Sequence, residues 1–223
     1  MDLYARLNDG WTMIGDQLVH LHCAERDQFA PRPTDDVDAV IDVRADVRML
    51  HRVTEALADM GFTSAGISPE GLQHRWVRGE GILDVLLPDG VGERARQRIG
   101  VTGSPTLETP GGTQALHRSE TVAVTVNGRN GFVRRPNLVG ALVVKAAAHT
   151  VPGDPAKRRH RLDFTSLAGL VAARDFAEDR LTAKDRQRLS TMIAAVRADA
   201  TLLAEMTDAS TWFDRLVVAA GLT

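Results

Sequence analysis

The chain has 223 residues, of which 43% are hydrophobic and 25% are charged, an ordinary globular composition that is long enough to bury a core. The formal net charge of −2 excludes a surface that is basic throughout, so nucleic-acid binding would need a local basic patch. The single cysteine, Cys23, excludes an intramolecular disulfide. No apolar run has the length of a membrane span or the flanks of a secretory signal, so we expect a cytoplasmic protein with no membrane partner.

The first elements form a strand–glycine–helix junction. Residues 1–9 favour a short helix, residues 11–14 an apolar strand that ends at Gly15, and residues 16–24 a second helix. Such a junction presents backbone N–H groups at a helix N-terminus, where anions bind. Asp16 at this point has two interpretations, since it either caps the helix or redirects an incoming phosphate.

Two carboxylates stand one residue apart where the next strand begins. A polar loop over residues 25–35 leads into an apolar run at 37–43, which predicts a strand. Side chains alternate along a strand, so Asp36 and Asp38 would project from the same face. Two like charges on one face repel unless a cation lies between them, and Mg²⁺ prefers carboxylate oxygens. An isolated Asp-x-Asp is, however, more often an acidic turn at the entry to a strand.

A helix and a hairpin follow. Residues 46–60 carry a core-facing stripe at three- and four-residue spacing, and residues 72–87 read as two strands joined by a glycine turn. The stripe consists of Val47, Leu50, Val53, Leu57 and Met60. Asp84 interrupts the apolar second strand, where a buried carboxylate needs an ion pair, hydrogen bonds or a metal. Arg75 or Arg78 across the hairpin would supply the ion pair.

The middle of the chain is rich in glycine and proline. Residues 89–118 indicate turns or a flexible flap, and a loop of this length within a domain is usually functional or mobile. Residues 121–126 alternate as a half-buried strand, and an Asn-Gly turn precedes a return strand that ends at residue 135.

From Pro136 onward the pattern is helical. We therefore predict an α+β chain with a mixed-sheet domain over 1–135 and an α-helical domain over 136–223. The helix at 137–150 is apolar on nearly every face except at Lys145 and His149, so the lysine must snorkel, pair or reach a ligand. A second helix is predicted over 156–174. The basic cluster at 157–161 lies at its start, a position that either invites an anionic partner or forms a solvated basic face.

These residues, in this order, resemble the nucleotidyltransferase superfamily of polymerase β type. The resemblance rests on Gly15 at the strand–helix junction, on Arg32-x-Thr34-x-Asp36-x-Asp38, and on a later strand carboxylate followed by a helical tail. Within the superfamily the chain is more similar to the AbiEii-like toxins of type IV toxin–antitoxin systems, which include the MenT-type tRNA nucleotidyltransferases.

The resemblance implies a fold, a reaction and a set of site residues. The fold would be a mixed-sheet nucleotidyltransferase core followed by an α-helical C-terminal half. Asp36, Asp38, Asp84 and Lys145 would be catalytic, and Lys145 would contact nucleotide phosphates. The three acids would hold Mg²⁺ or Mn²⁺, which requires the strand at 82–87 to pair beside the strand at 37–43. The nucleotide-binding residues implied are Gly15, Asp16, Arg32, Thr34, Lys145 and Asp163. Two departures from the family pattern are Asp16, where Ser or Gly is usual, and His160, where an acid is usual.

The family also implies partners, and three functions stay open. The first is transfer of NMP from an NTP to the 3′ end of tRNA, by a toxin with a cognate antitoxin protein. The second keeps the chemistry but uses a small molecule such as an aminoglycoside, or a protein hydroxyl, as acceptor. The third is a catalytically silent interaction module, which the Gly15-Asp16 departure would favour. Arg134, Arg135 and the arginines of the 157–161 cluster are candidates for an RNA-binding patch.

Overall fold

The computed structural model describes residues 1–222 and divides the chain into two compact units. The α/β unit comprises residues 1–17 and 34–136, and the helical unit comprises residues 18–33 together with the chain from 137 onward. The sequence-based division placed residues 18–33 in the first domain, whereas here they belong to the helical unit.

The elements follow the predicted succession of a mixed α/β part and a helical tail, which confirms the α+β class. The described residues contain the strands β1 (Trp11–Ile14), β2 (Asp36–Ile41), β3 (Thr63–Ser64), β4 (Arg75–Arg78), β5 (Gly81–Pro88), β6 (Glu108–Thr109), β7 (Ser119–Val126) and β8 (Arg129–Pro136). The helices are α1 (Asp2–Arg6), α2 (Gly15–Ala24), α3 (Met49–Asp59), α4 (Glu93–Arg96), α5 (Gly112–His117), α6 (Leu138–His149), α7 (Lys157–Gly169), α8 (Ala183–Arg197), α9 (Ala200–Glu205) and α10 (Ala209–Ala220), with a 3-10 turn at Ala173–Phe176.

The α/β unit is built on a mixed sheet with the strand order β1-β2-β5-β4-β3. β2 and β5 are parallel, whereas β1 is antiparallel to β2 and β4 is antiparallel to β5. The short β6 extends the sheet beside the end of β5. β7 and β8 form a separate two-stranded hairpin. The predicted pairing of the Asp84 strand beside the Asp36–Asp38 strand is therefore confirmed.

One face of this sheet carries the core of the α/β unit. Side chains at alternate positions of β1, β2, β4 and β5 pack with the buried side of α3 in one apolar cluster. The cluster includes Trp11, Ala39, Ile41, Leu50, Val53, Leu57, Trp76, Leu83, Val85 and Leu87. Because side chains alternate along a strand, the residues between these positions project from the opposite face, which is where Asp36, Asp38 and Asp84 lie.

The helical unit has its own core, in which α6 is central. Every α6 residue from Leu138 to Ala147 is buried, as expected for a helix that is apolar all round. Phe164 of α7 stacks on Phe213 of α10, with ring centroids 6.1 Å apart, and both rings are fully buried. The single cysteine, Cys23 of α2, is buried in this core, where burial raises the pKa of its thiol and disfavours the reactive thiolate.

Three sequence predictions were wrong in detail. Residues 89–118 are not a structureless flap, because α4, β6 and α5 form within them. Val47 does not belong to the core stripe, since it precedes α3 and is 64% exposed. The helix predicted over 156–174 ends at Gly169, which lies against the Trp212 ring.

None of the helices within residues 1–222 is both long enough and apolar enough to cross a membrane.

The N-terminus of α6 is held by Asn137, which is the basis of a first prediction. Its Oδ1 accepts a hydrogen bond of 2.9 Å from the Gly140 N–H, and its Nδ2 donates one of 2.9 Å to Asp179. We expect Asn137→Ala to lower the free energy of unfolding by about 1 kcal/mol, as loss of an N-cap typically does. Urea unfolding followed by circular dichroism measures this, with Asn8→Ala, in the exposed bend between α1 and β1, as the control. An equal effect of the two variants would contradict the capping role.

Candidate active site

The candidate site of the α/β unit begins with the two carboxylates of β2. Asp36 and Asp38 are separated by Val37, which packs against the core cluster on the other face. Both acids are half-buried, whereas Ala39, Val40 and Ile41 further along the strand are fully buried. The acids therefore stand at the accessible beginning of a strand whose other end is anchored in the core.

Two neighbours position these carboxylates. The Thr34 hydroxyl donates a hydrogen bond of 2.8 Å to Asp36 Oδ1. Gly15 lies so close to Asp38 that a Cβ added there would come within 2.0 Å of Asp38 Oδ2, and its φ of +73° also favours glycine. Thr34 and Gly15, two of the six residues that the resemblance marked for nucleotide binding, thus support the two carboxylates directly.

Asp16 occupies the first turn of α2. A carboxylate at a helix N-terminus interacts favourably with the helix dipole, which agrees with the capping interpretation. A second negative charge at this junction also opposes a bound phosphate, so the departure from Ser or Gly has a physical consequence for nucleotide affinity.

Asp84 is brought to the same face by the register of the sheet. It is the direct partner of Asp38 in the parallel pairing of β2 with β5, and the direct partner of Arg75 in the antiparallel pairing of β5 with β4. Arg75 Nε and Nη2 donate hydrogen bonds of 2.9 and 2.7 Å to the two carboxylate oxygens of Asp84. The ion pair that the sequence allowed for Asp84 is therefore present, and Arg75 is its partner.

The charge of Arg75 serves the whole acidic cluster. The pKa of its guanidinium is raised, first by the hydrogen bonds to Asp84 and further by the charges of Asp84, Asp36 and Asp38, against an opposing effect of burial. Three carboxylates and one guanidinium leave a formal charge of −2 when all are ionised. A cluster with this surplus attracts cations.

The donor set fits a hard divalent cation only in part. Carboxylates that share a face are the ligands such a cation prefers, and Gly15 leaves the room that Asp38 needs. Both oxygens of Asp84 are, however, engaged by Arg75, and within residues 1–222 no three His, Cys, Asp or Glu side chains form a group that could hold a metal ion. Metal binding by Asp36, Asp38 and Asp84 therefore stays a prediction.

The remaining predicted site residues form a network within the helical unit. Lys145 of α6 and Asp163 of α7 are 2% and 1% exposed, and Lys145 Nζ lies 2.7 Å from Asp163 Oδ2. Arg32 Nη2 donates to the same oxygen at 3.1 Å. Asp163 thus pairs with two cations and ties the segment at residue 32 to both helices. Of the three options that the sequence left for Lys145, the structure shows the ion pair.

Two histidines, His149 and His160, lie in the same unit. His160 Nε2 lies 3.0 Å from Asp154 Oδ2. Burial, and then Lys145, lower the pKa of His160, although Asp154 opposes the shift. Burial, together with Arg161 and Lys157, also lowers the pKa of His149. Neither imidazole is therefore held in the charged form near neutral pH.

Most arginines of the predicted RNA patch are paired within their own unit. In the α/β unit, Arg134 Nη2 lies 3.2 Å from Asp9, and the buried Arg135 lies 2.8 Å from Glu120. In the helical unit Arg158 pairs with Glu205 at 2.6 Å and Arg161 with Asp199 at 3.1 Å. Four of the five arginines therefore already have acidic partners, which reduces the net charge they present to RNA.

The sheet order, the acidic face and the helical tail define the class of fold, which is that of nucleotidyltransferase-like α+β proteins. The chain is structurally similar to an antigenic nucleotidyltransferase-like protein from Paracoccidioides brasiliensis, with a TM-score of 0.52 and 17% sequence identity over 95% of this chain and 87% of that chain. No protein-family model and no curated protein sequence matches the chain. The similarity establishes the fold, and the toxin branch stays a prediction.

Two residues outside the predicted set make contacts of this kind, Arg75 in the α/β unit and Asp154 in the helical unit. Arg75 was considered only as an ion-pair partner of Asp84, although its alternate position in β4 places it on the acidic face. No sequence pattern identifies Asp154 as a partner of His160, because their contact depends on how the chain turns before α7.

The contact of Gly15 with Asp38 leads to a second prediction. We expect Gly15→Ala to lower the free energy of unfolding by about 3 kcal/mol, because it combines positive φ with overpacking against the carboxylate. The control is Gly128→Ala, which shares a φ near +75° but has no atom within 4 Å of the added Cβ, so that only about 1 kcal/mol is expected. Urea unfolding measures both.

The double variant Gly15→Ala/Asp38→Ala identifies the cause of that effect. Removing the carboxylate relieves the overlap, so the two substitutions should be non-additive and the double variant should be more stable than the sum predicts. Additive effects would show that Asp38 is not what Gly15 accommodates.

A third prediction concerns the buried lysine. We expect Lys145→Met to lower the free energy of unfolding by about 3 kcal/mol, because Asp163 then keeps only the longer contact with Arg32. Adding Asp163→Asn should recover most of the loss. The exposed Lys184 provides the control, since Lys184→Met should change the stability by less than about 0.5 kcal/mol. Equal effects of the two lysine variants in urea unfolding would contradict the buried ion pair.

Proposed function

We propose that the protein is a metal-dependent nucleotidyltransferase that transfers NMP from an NTP to an acceptor hydroxyl. The observation that carries the proposal is the placement of Asp36, Asp38 and Asp84 on one face of the β2–β5 pair, away from the core. The nucleotidyltransferase-like fold of the structural relative supports the same reaction class. The charge surplus of the cluster supports a requirement for Mg²⁺ or Mn²⁺.

In the proposed reaction, the acceptor oxygen attacks the α-phosphorus of the NTP. A bond from that oxygen to phosphorus forms, the bond to the pyrophosphate oxygen breaks, and the acceptor hydroxyl loses its proton. Divalent cations, when bound, stabilise the charge on the attacking and leaving oxygens. The protein mainly positions groups and stabilises charge, as is general for phosphoryl chemistry.

Each residue of the α/β site has a part in this proposal. Asp36 and Asp38 bind the cations, Thr34 fixes the orientation of Asp36, and Gly15 leaves the space that Asp38 occupies. Asp84 would be the third ligand of the cations, and it accepts the acceptor proton once Arg75 no longer engages both of its oxygens. Asp38 and Asp84 are direct neighbours across the β2–β5 pair, which suits two groups that serve one reacting centre.

We further propose that the acceptor is the 3′ end of tRNA and that the protein acts as a toxin with a cognate antitoxin. This part rests on the resemblance of the Arg32-x-Thr34-x-Asp36-x-Asp38 motif to the AbiEii-like toxins. Arg159, the fifth arginine of the predicted patch, is exposed and has no ion pair among the described residues, so it is the first candidate for an RNA contact. Lys145 and Asp163 contribute by fixing the segment at Arg32.

The fourth prediction tests the reaction. The protein is incubated with α-³²P-labelled NTPs, Mg²⁺ or Mn²⁺ and total RNA, and label is followed into tRNA by gel electrophoresis. Asp36→Asn and Asp38→Asn should each reduce labelling at least about 100-fold, because they weaken binding of the cations that stabilise the charge of the transition state. The adjacent, exposed Asp35 provides the matched control, and Asp35→Asn should keep full activity.

Other outcomes separate the alternatives. Label in protein, or in an added aminoglycoside, with none in tRNA would keep the chemistry and replace the acceptor. No labelling with any acceptor, together with undiminished folding, would contradict the enzymatic proposal. Growth arrest on expression that Asp36→Asn abolishes, and that the product of an adjacent gene reverses, would support the toxin role.

A further inference from the structure

The Asp84 carboxylate is already occupied by a cation that belongs to the chain. Arg75 binds it through two parallel hydrogen bonds, of 2.9 and 2.7 Å, and so engages both of its oxygens. This two-pronged geometry is the strongest that a guanidinium makes with a carboxylate. One lone pair of each Asp84 oxygen is therefore directed at Arg75 rather than at a metal.

The position of Arg75 follows from the strand order. β5 lies between β2 and β4, so Asp84 has Asp38 as its neighbour on one side and Arg75 on the other. A positive charge at this place neutralises part of the repulsion between the carboxylates, which is also what a divalent cation would do. The Arg75 guanidinium and a divalent cation would therefore act on the same carboxylates.

The two partners of this ion pair differ in their exposure to solvent. Asp84 is 6% exposed and sits in a strand that is paired on both sides. The Arg75 side chain is 45% exposed and has a long, flexible stem. If the pair opens, Arg75 can turn into water at little cost, whereas Asp84 must stay where it is and needs another cation.

We infer that Arg75 is an internal counter-ion that competes with the divalent cation for Asp84, so that the third carboxylate becomes a metal ligand only when Arg75 releases it. The inference deepens the proposed function and rests on it. The three acids share a face, but both oxygens of Asp84 are engaged by Arg75. Before the metal binds, the positive charge of Arg75 offsets the repulsion among the three carboxylates. The same charge weakens metal binding.

The fifth prediction tests this competition by metal binding alone. Mn²⁺ binding to the full chain, without nucleotide, is measured by the electron paramagnetic resonance signal of free Mn²⁺. Arg75→Gln should bind Mn²⁺ about 10-fold more tightly than the natural protein, since one opposing charge is removed. Arg75→Lys keeps the charge but loses the two-pronged geometry, so its affinity should lie between the two.

Matched variants assign the effect to Asp84. Arg78 lies on the same strand but on the opposite face, where its guanidinium stacks over Phe62 at 4.7 Å, so Arg78→Gln should leave Mn²⁺ affinity unchanged. Adding Asp84→Asn to Arg75→Gln should abolish the gain in affinity, because the released carboxylate is then absent.

Thermal stability gives a second readout that does not depend on the absolute affinity. In EDTA, Arg75→Gln should melt at a lower temperature than the natural protein, because the buried Asp84 has lost its partner. The same excess of Mn²⁺ should raise the melting temperature of Arg75→Gln by more than that of the natural protein, since the stabilisation by a ligand increases with the logarithm of its affinity for the folded state.

The outcomes separate the inference from the function. If the natural protein binds Mn²⁺, Asp36→Asn abolishes the binding, and Arg75→Gln binds equally or more weakly, then Arg75 does not compete and the inference is wrong while the metal site stands. If neither the natural protein nor Arg75→Gln binds Mn²⁺ while both remain folded, the inference and the metal-dependent function fail together.

Discussion

The parallel pairing of β2 with β5 determines where the candidate site lies. Because both strands bury alternate residues against α3, the intervening positions must face the other way. A shift of either strand by one residue would turn its carboxylates into the apolar core, at a cost of several kcal/mol for each unpaired charge. The hydrophobic pattern therefore fixes the register, and the register fixes the acidic face.

Each unit contains a buried carboxylate that is paired with a basic side chain, but the two ion pairs differ in function. Lys145 and Asp163 are both almost fully buried, so their pair is a permanent part of the helical core. Arg75 is half-exposed while Asp84 is buried, so the arginine side chain can leave the pair for solvent while the carboxylate stays in place. The difference in exposure separates a structural lysine from an arginine that is suited to exchange with a metal.

Much of the site was predictable because it depends on local rules. The two-residue period of a strand placed Asp36 and Asp38 together, and an apolar run with a single acid identified the strand of Asp84. The glycine and proline content of residues 89–118 led to the wrong prediction of a flap. Short helices and a short strand form there because tertiary contacts override weak local preferences for secondary structure. The stripe on α3 was correct except at Val47, which lies before the helix begins.

The sequence by itself determined the class of the chain, the strand faces and the list of acids and bases, because composition and periodicity are local properties. Only the tertiary structure decided the partners: Arg75 for Asp84, Asp163 for Lys145, and Asp38 for the space that Gly15 leaves. Partnership depends on strand order and helix packing between residues distant in sequence, which no local pattern contains. A carboxylate that the motif alone presents as a metal ligand is, in the folded chain, first the partner of an arginine.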